Sequence, residues 1–417
     1  MRPVPYLVLL AAFARACSAD ALALEGRVLD QKTHAGIANA TVMCGGPTVL
    51  SDQAGYFSAE CRAATLMVRA AGYRATQYPS AQTAHGTIVT LEPFTPRALY
   101  LTVYGIGSKQ LREGALALVR KGYANALVID VKGDRGILPY PSNVPLSSVA
   151  SARPITTIRD LPGLVKSLHQ QNIYLIARIV VFKDDPLATA RRDLAVTRAD
   201  GSLFRDREGL AWTDPFKPEV RDYNIAVAVE AARAGFDEVQ FDYVRFPDVS
   251  GALRFAQPAT AQSRAAAIRQ FLREARERLA GFNCYVALDI FGYVCWNTND
   301  TGIGQVLEEV APLVDYISPM LYPSGFQFGI PGLGAPVTHP YEIVRLTLEN
   351  ARKRVGLPAV RFRPWLQAFR DYAFDRRPFQ AHEVQEQVRA ARDFGADGYM
   401  LWNAQNRYDD AFAPPSE

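Results

Sequence analysis

Carboxylates, amides and aromatic rings recur in this chain just after short apolar runs. The runs end in Ile129-Asp130-Val131-Lys132-Gly133-Asp134, Phe182-Lys183-Asp184-Asp185, Gln240-Phe241-Asp242-Tyr243-Val244-Arg245, Leu288-Asp289-Ile290, Leu321-Tyr322-Pro323, Trp365-Leu366-Gln367 and Leu401-Trp402-Asn403. This mixture suits acid–base chemistry on a sugar. One carboxyl protonates the leaving oxygen, and a second attacks the sugar or activates water. Asp242 and Asp289 are the candidate catalytic pair, Asp242 as nucleophile or base and Asp289 as general acid. Held close together, two carboxyls push their pKa values apart and leave one protonated near neutral pH. Tyr322, Trp365 and Trp402 are candidates to stack on sugar rings, Arg245, Gln367 and Asn403 to orient hydroxyls, and Asp130 and Asp184 to serve as reserve carboxylates. Each has a plainer alternative. Asp242 pairs with nearby Arg245, Lys132 neutralises Asp130 and Asp134, Asp residues cap helices, and the two Trp fill a core.

Such residues converge only if the runs are strands of one sheet. From Arg97 onward, β-branched or aromatic runs alternate with amphipathic helical segments, the pattern of a parallel sheet covered by helices. Strands are predicted at Leu99–Tyr104, Ala126–Val131, Tyr174–Val181, Glu238–Tyr243, Tyr285–Ile290, Tyr316–Leu321, Arg361–Gln367 and Gly398–Trp402. Ile268, Phe271, Leu272, Ala275 and Leu279 share one helix face, as do Val384, Val388 and Ala391. Pro218 suits the first position of a helix. Eight βα repeats without a Gly-x-Gly-x-x-Gly turn favour an α/β fold of the (β/α)8 TIM-barrel type over an open doubly wound sheet. In such barrels the active site lies at the C-terminal strand ends, where the residues above fall. Past Tyr408 too few residues remain for a full eighth outer helix. The Gly-rich stretch Gly329–Gly334 after the sixth strand reads as a flexible loop at the site.

Residues 24–94 differ. Short β runs, among them Gly26–Leu29, Ala40–Met43, Gly55–Phe57, Leu66–Val68 and Thr87–Val89, are separated by turn residues, which predicts a small all-β sandwich. His34 and His85 are read as surface loop residues. At the start, Arg2, the apolar run Tyr6–Phe13 and Ala14-Arg15-Ala16 fit a cleaved export signal over residues 1–19. Cys17 leaves lipid attachment open. The expected location is therefore exported, periplasmic or secreted, with no transmembrane segment in the mature chain. Export permits disulfides, and Cys44 and Cys61 lie on segments expected to be neighbours. Cys284 begins a predicted strand and Cys295 lies past its far end; about nine extended residues span roughly 30 Å, too far for a bridge.

Composition removes other classes. The 417 residues carry a net charge of +4 without a basic block, which argues against a nucleic-acid partner. None of the five His falls at a predicted strand end, unlike a zinc hydrolase, so no metal and no cofactor is expected. The loops after the last two strands lack the glycines of a phosphate-binding barrel. The expected partner is a polysaccharide or oligosaccharide substrate. The rival is a sugar-binding barrel that no longer catalyses, which needs the rings but not the acid–base pair. Nothing in the sequence specifies an oligomeric state.

Two resemblances add to this reading. Gly26-x-Val28-x-Asp30, Gly36-Ile37-x-x-Ala40-x-Val42, Asp52-x-x-Gly55-x-Phe57 and Ala71-Gly72-Tyr73 resemble the carboxypeptidase regulatory-like domain, which implies a non-catalytic accessory sandwich. Gly235-Phe236-Asp237-Glu238-x-Gln240-Phe241-Asp242-Tyr243-Val244-Arg245-Phe246-Pro247 and Asp315-Tyr316-Ile317-Ser318-Pro319-Met320-x-Tyr322-Pro323-Ser324 resemble a bacterial barrel family of glycosyl-hydrolase type. So do Val181-Phe182-Lys183-Asp184, Trp212-x-Asp214-Pro215, Asp289-x-Phe291-Gly292, Ile303-Gly304-Gln305 and Arg363-Pro364-Trp365-Leu366-Gln367. The match spans nearly all of 97–408 and implies a barrel and sugar chemistry. Wider similarity to the alpha-amylase clan implies a fourth-strand nucleophile, Asp242, and a fifth-strand acid, here Asp289 instead of the usual Glu. Gly325-Phe326 stands where that family would have His-Tyr, which implies an altered subsite.

Overall fold

The computed structural model describes residues 22–80, 86–150, 155–249 and 251–408. The expected export signal, Cys17, His85 and the stretch past Tyr408 lie outside the described residues.

Seven strands come first: β1 (Leu22–Asp30), β2 (Thr41–Met43), β3 (Val49–Leu50), β4 (Tyr56–Cys61), β5 (Thr65–Arg69), β6 (Thr76–Pro79) and β7 (Thr87–Leu91). They form a three-stranded sheet, β4-β1-β7, and a four-stranded one, β3-β2-β5-β6. Side chains alternate along β4, so Phe57, Ala59 and Cys61 point inward. They meet Leu24, Val28, Val42, Leu66, Val68 and Val89 in one apolar core. Two strands went unread in the sequence. β3 is only two residues long, and β6 (TQYP) is polar and ends in Pro79, as an edge strand can. His34 is an exposed loop residue. Cys44 and Cys61 form a disulfide with Cα atoms 4.6 Å apart, and Cys284 and Cys295 are free.

The barrel strands are β8 (Arg97–Leu101), β9 (Ala126–Lys132), β10 (Tyr174–Val180), β12 (Glu238–Asp242), β14 (Tyr285–Phe291), β15 (Tyr316–Met320), β16 (Trp365–Gln367) and β17 (Tyr399–Trp402). All eight pair in parallel and close on themselves. A short antiparallel pair, β11 (Thr197–Arg198) with β13 (Leu253–Arg254), ties together the loops after β10 and β12. β9 and β10 are buried along their whole length, which is why they read as unbroken apolar runs. The seventh strand is shorter than predicted, because Ala359–Arg361 forms a 3-10 turn first. The expected helix faces are buried, and Pro218 opens the helix Pro218–Ala234. At the closing seam Gly398 is obligatory: a Cβ there would lie 1.8 Å from the Pro96 carbonyl oxygen.

The sandwich packs on the N-terminal ends of the barrel strands. Tyr285, first residue of β14, donates its hydroxyl to the carbonyls of Ala70 and Tyr73 at 2.8 and 2.7 Å. Tyr316, first residue of β15, accepts from the Gly72 amide at 3.0 Å. Phe94 meets Tyr174, first residue of β10, at 5.3 Å between ring centres. The sandwich therefore covers that end of the barrel.

The disulfide closes a short loop, for which restriction of the unfolded chain contributes about 3 kcal/mol. Cys44→Ala/Cys61→Ala should lower sandwich stability by about that amount in urea unfolding followed by circular dichroism, and an unchanged midpoint would contradict it.

Candidate active site

The upper barrel interior is built around an arginine. In β10, Arg178 stands between Asp130 of β9 and Gln240 of β12 in register. Its guanidinium is buried and fully engaged. Nη1 donates to Asp130 at 2.7 Å and to the Tyr100 hydroxyl at 3.3 Å. Nη2 donates to Asp134 at 2.7 Å and Asp242 at 2.6 Å, and Nε donates to Asp242 at 3.1 Å. Trp402 stacks on Tyr100 with centres 4.0 Å apart, and its ring lies under the guanidinium.

Asp242 ends β12. Its second oxygen takes both Arg178 bonds, and its first accepts from the Tyr243 amide at 2.6 Å. Tyr243 itself has φ +53°, a left-handed conformation a non-glycine residue adopts at a cost of roughly 1–2 kcal/mol. Strain of this kind persists where the surroundings hold a side chain in place.

Asp289 lies on the neighbouring strand β14, one register step beyond the Phe241–Leu288 pair. Trp365 donates its indole N–H to Oδ1 at 2.9 Å, and Oδ2 is buried without a partner among the described residues. Burial first, then the Asp242 charge, push the Asp289 carboxyl well above its ordinary range. Gln305 braces the strand end, accepting from the Phe291 amide and donating to the Asp289 carbonyl. Asp130 is held up at about 7, by burial foremost, with Arg178 opposing and Asp134 adding. The strand register therefore sets Asp289 beside Asp242 at the ends of adjacent strands.

Above this layer opens a cleft of about 1140 Å³, lined by Asp134, Asp242, Tyr243, Tyr322, Phe369 and Trp402 among others. Of the predicted binding residues, Tyr322, Trp402 and Asn403 reach it. The Asn403 amide, however, is spent on the carbonyls of Ala368, after β16, and Arg407, in its own loop. The others sit elsewhere. Asp184 is fully buried, paired with Lys132 at 2.6 Å and capping the helix Asp185–Ala190. Lys132 thus serves Asp184, while Arg178 neutralises Asp130 and Asp134. Asp130 lies beneath the cleft, holding Arg178 and Tyr100. Arg245 is not the partner of Asp242. It lies 5.0 Å from the rings of both Trp212 and Tyr243 and bonds the Phe246 carbonyl. Trp365 is buried and holds Asp289, so it stacks on no sugar. Gln367 is buried and braces Ser324 and the Phe369 carbonyl. His169 pairs with Asp237 at 2.9 Å, which raises its pKa. Among the described residues no three His, Cys, Asp or Glu are grouped to hold a metal ion.

Sequence reasoning missed Arg178, Tyr100 and Phe369. The available signal was a single arginine inside the apolar run YLIARIV, where a lone charge demands buried partners.

Comparison with known proteins agrees with the barrel. Residues 98–408 match a family model described as "Putative glycosyl hydrolase domain". A hypothetical protein from Ruminiclostridium thermocellum ATCC 27405 is 34% identical over 46% of this chain and 96% of its own, with a TM-score of 0.40. The PgaB (BpsB) glycoside hydrolase domain from Bordetella bronchiseptica shares the fold at TM-score 0.55 and 16% identity, covering 78% of this chain and all 100% of that one. A beta-galactosidase from the psychrophilic Marinomonas ef1 shares it at TM-score 0.52 and 11% identity, over 74% of this chain and 54% of that one. No curated protein matches the chain in sequence.

The raised Asp130 pKa has a consequence for stability. The folded-state value exceeds the unfolded one near 4, so the native protein holds the extra proton between them. Stability should fall as pH rises from about 4 to 7, by at most about 1.4 kcal/mol per pH unit from this group. Asp130→Asn should flatten that fall in urea unfolding at pH 4.5 and 7, and an undiminished slope would remove Asp130 as its source.

Proposed function

The chain belongs to that glycosyl hydrolase family, and we propose that it hydrolyses a bond in an extracytoplasmic polysaccharide through Asp242 and Asp289. The supporting observation is the side-by-side pair on β12 and β14: one carboxylate paired with Arg178, the other pushed towards its neutral form by burial and by its neighbour. Asp242 acts as nucleophile or water-activating base, and Asp289 holds the proton required by the leaving oxygen. Tyr322 and Trp402 bear on sugar faces in the cleft. Asp130, Trp365 and Gln367 position the groups that touch substrate, and Arg245 and Asp184 brace the surrounding loops.

One observation favours a second assignment of the acid. Asp134 lines the cleft with its side chain about a third exposed, whereas Asp289 lies behind it. Asp134 and Asp242 share one nitrogen of Arg178, so their oxygens lie within two hydrogen-bond lengths of each other.

Export belongs to the same reading and is supported by the Cys44–Cys61 disulfide, which forms in oxidising compartments. The sandwich, carboxypeptidase regulatory-like in its turn glycines, takes no part in the chemistry.

Reducing-end release from a panel of bacterial and plant polysaccharides tests this. Asp242→Asn should lose about a thousandfold in rate. Glycan binding without release by the wild type would instead indicate a non-catalytic sugar-binding barrel. If Asp289 is the acid, activity falls as pH rises through its pKa, and Asp289→Asn removes that limb. Loss of the limb in Asp134→Asn alone would move the role there. Trp365→Phe deletes a bond that lowers the Asp289 pKa, so the same limb should shift to higher pH.

A further inference from the structure

The loop after β16 carries more order than its exposure requires. Asp371 is buried, yet Tyr372 is 47% and Phe374 39% exposed on either side of Ala373. Surface loops are ordinarily mobile. This one is pinned from within. The Asp371 carboxylate accepts the Ser324 hydroxyl at 2.7 Å and the amides of Ala373, Phe374 and Arg376 at 3.1, 2.9 and 2.9 Å. Its own amide donates to the Arg377 carbonyl at 2.9 Å. Against burial, which pushes it up, these donors hold the Asp371 carboxyl down at about 2. A rigid mount under exposed aromatic rings is unneeded for packing.

The rings continue the cleft. Tyr322, beside the carboxylates, has its phenol pushed well up by burial and then by Asp289 and Asp242. Phe369 meets Tyr322 edge-on at 5.4 Å, and Tyr372 lies nearly parallel to Phe369, at 9° and 6.2 Å. All three line the same cleft, whose volume of about 1140 Å³ exceeds the roughly 300–1,000 Å³ of ordinary small-ligand pockets. Beside them, Gly325 has no left-handed φ to demand glycine. A Cβ there would meet only the Tyr372 hydroxyl, at 3.7 Å. Glycine at this position leaves room for a side chain beside the Tyr372 hydroxyl, a notch next to the cleft.

We propose that Phe369, Tyr372 and the notch at Gly325 form a sugar-binding subsite outward of the carboxylates, so that the cleft takes a glycan chain of several units instead of a single terminal sugar. This rests on the glycosidase reading of Asp242 and Asp289. Ring stacking on the C–H face of a sugar supplies affinity, and the notch admits the substituents that project from its edge.

The test uses the full chain with soluble oligomers of glucose, of N-acetylglucosamine and of galacturonate, two to six units long, and the 4-nitrophenyl monosaccharides. Calorimetry on Asp242→Asn should show affinity rising with chain length. Adding Tyr372→Ala, or separately filling the notch with Gly325→His, should reduce the gain from the longer chains about tenfold, while Tyr372→Phe keeps it. Thermal unfolding of each variant separates a lost subsite from a lost fold. Length-dependent binding that neither Tyr372→Ala nor Gly325→His alters would overturn the subsite and leave the carboxylates untouched. Cleavage confined to nitrophenyl monosaccharides would also overturn it. Failure of the wild type to cleave, and of Asp242→Asn to bind, any of these sugars would sink the glycosidase reading itself.

Discussion

The Arg178 guanidinium is the charge on which the upper barrel depends. A buried cation without partners costs several kcal/mol, so the strands around it must supply acceptors. Asp130, Asp134 and Asp242 do so directly, and Asp289 stands next to Asp242. One positive charge then faces four carboxyls in a space closed to water on most sides. They cannot all be charged there cheaply, and burial pushes up the carboxyls of Asp289 and Asp130, the latter in spite of its bond to Arg178. The raised carboxyl that the proposed general acid requires follows from this imbalance. The rings of Tyr100 and Trp402 lie against the planar guanidinium, which in turn holds Asp242 through two hydrogen bonds.

How much of this was legible in the sequence depended on the kind of residue. Strands buried on both faces show up as apolar runs whatever their neighbours, so all eight barrel strands were visible within a few residues. Asp242 and Asp289 were visible because strand ends are where a barrel exposes polar groups. Arg178 was not, since it sits inside a run and its partners come from three other segments. Asp184 misled because its pairing with Lys132 depends on geometry. A register shift in the β9–β10 pairing at Arg178/Ile179 accompanies a Lys132 turned outward to Asn224, while Asp130 faces in. Trp365 and Gln367 were assigned to the substrate on residue type alone. Their donors are in fact consumed one layer below it, by Asp289 and by the Ser324 loop.

A second buried arginine repeats the logic lower down. Arg363 joins Glu238 and Asp397, with Tyr316 under its plane at 3.9 Å and Tyr174 donating to Glu238 at 3.0 Å. The barrel interior is thus layered: an ion-pair layer beside the sandwich, a layer where Gln240 bonds Ser318 and Met400, and the Arg178 carboxylate layer above. The two charged layers each set an arginine against carboxylates from other strands, with the neutral Gln240 layer between them.

The tyrosines that greet the sandwich carry a consequence for how the two parts can be separated. Tyr285 and Tyr316 spend their hydroxyls on backbone groups of Ala70, Gly72 and Tyr73, and the family match starts just after that contact, at residue 98. The sandwich is therefore a floor built into the vessel and not a detachable attachment. A barrel cut free at that boundary would open its base to solvent, and grafting it onto another module would require rewriting the first residues of β14 and β15.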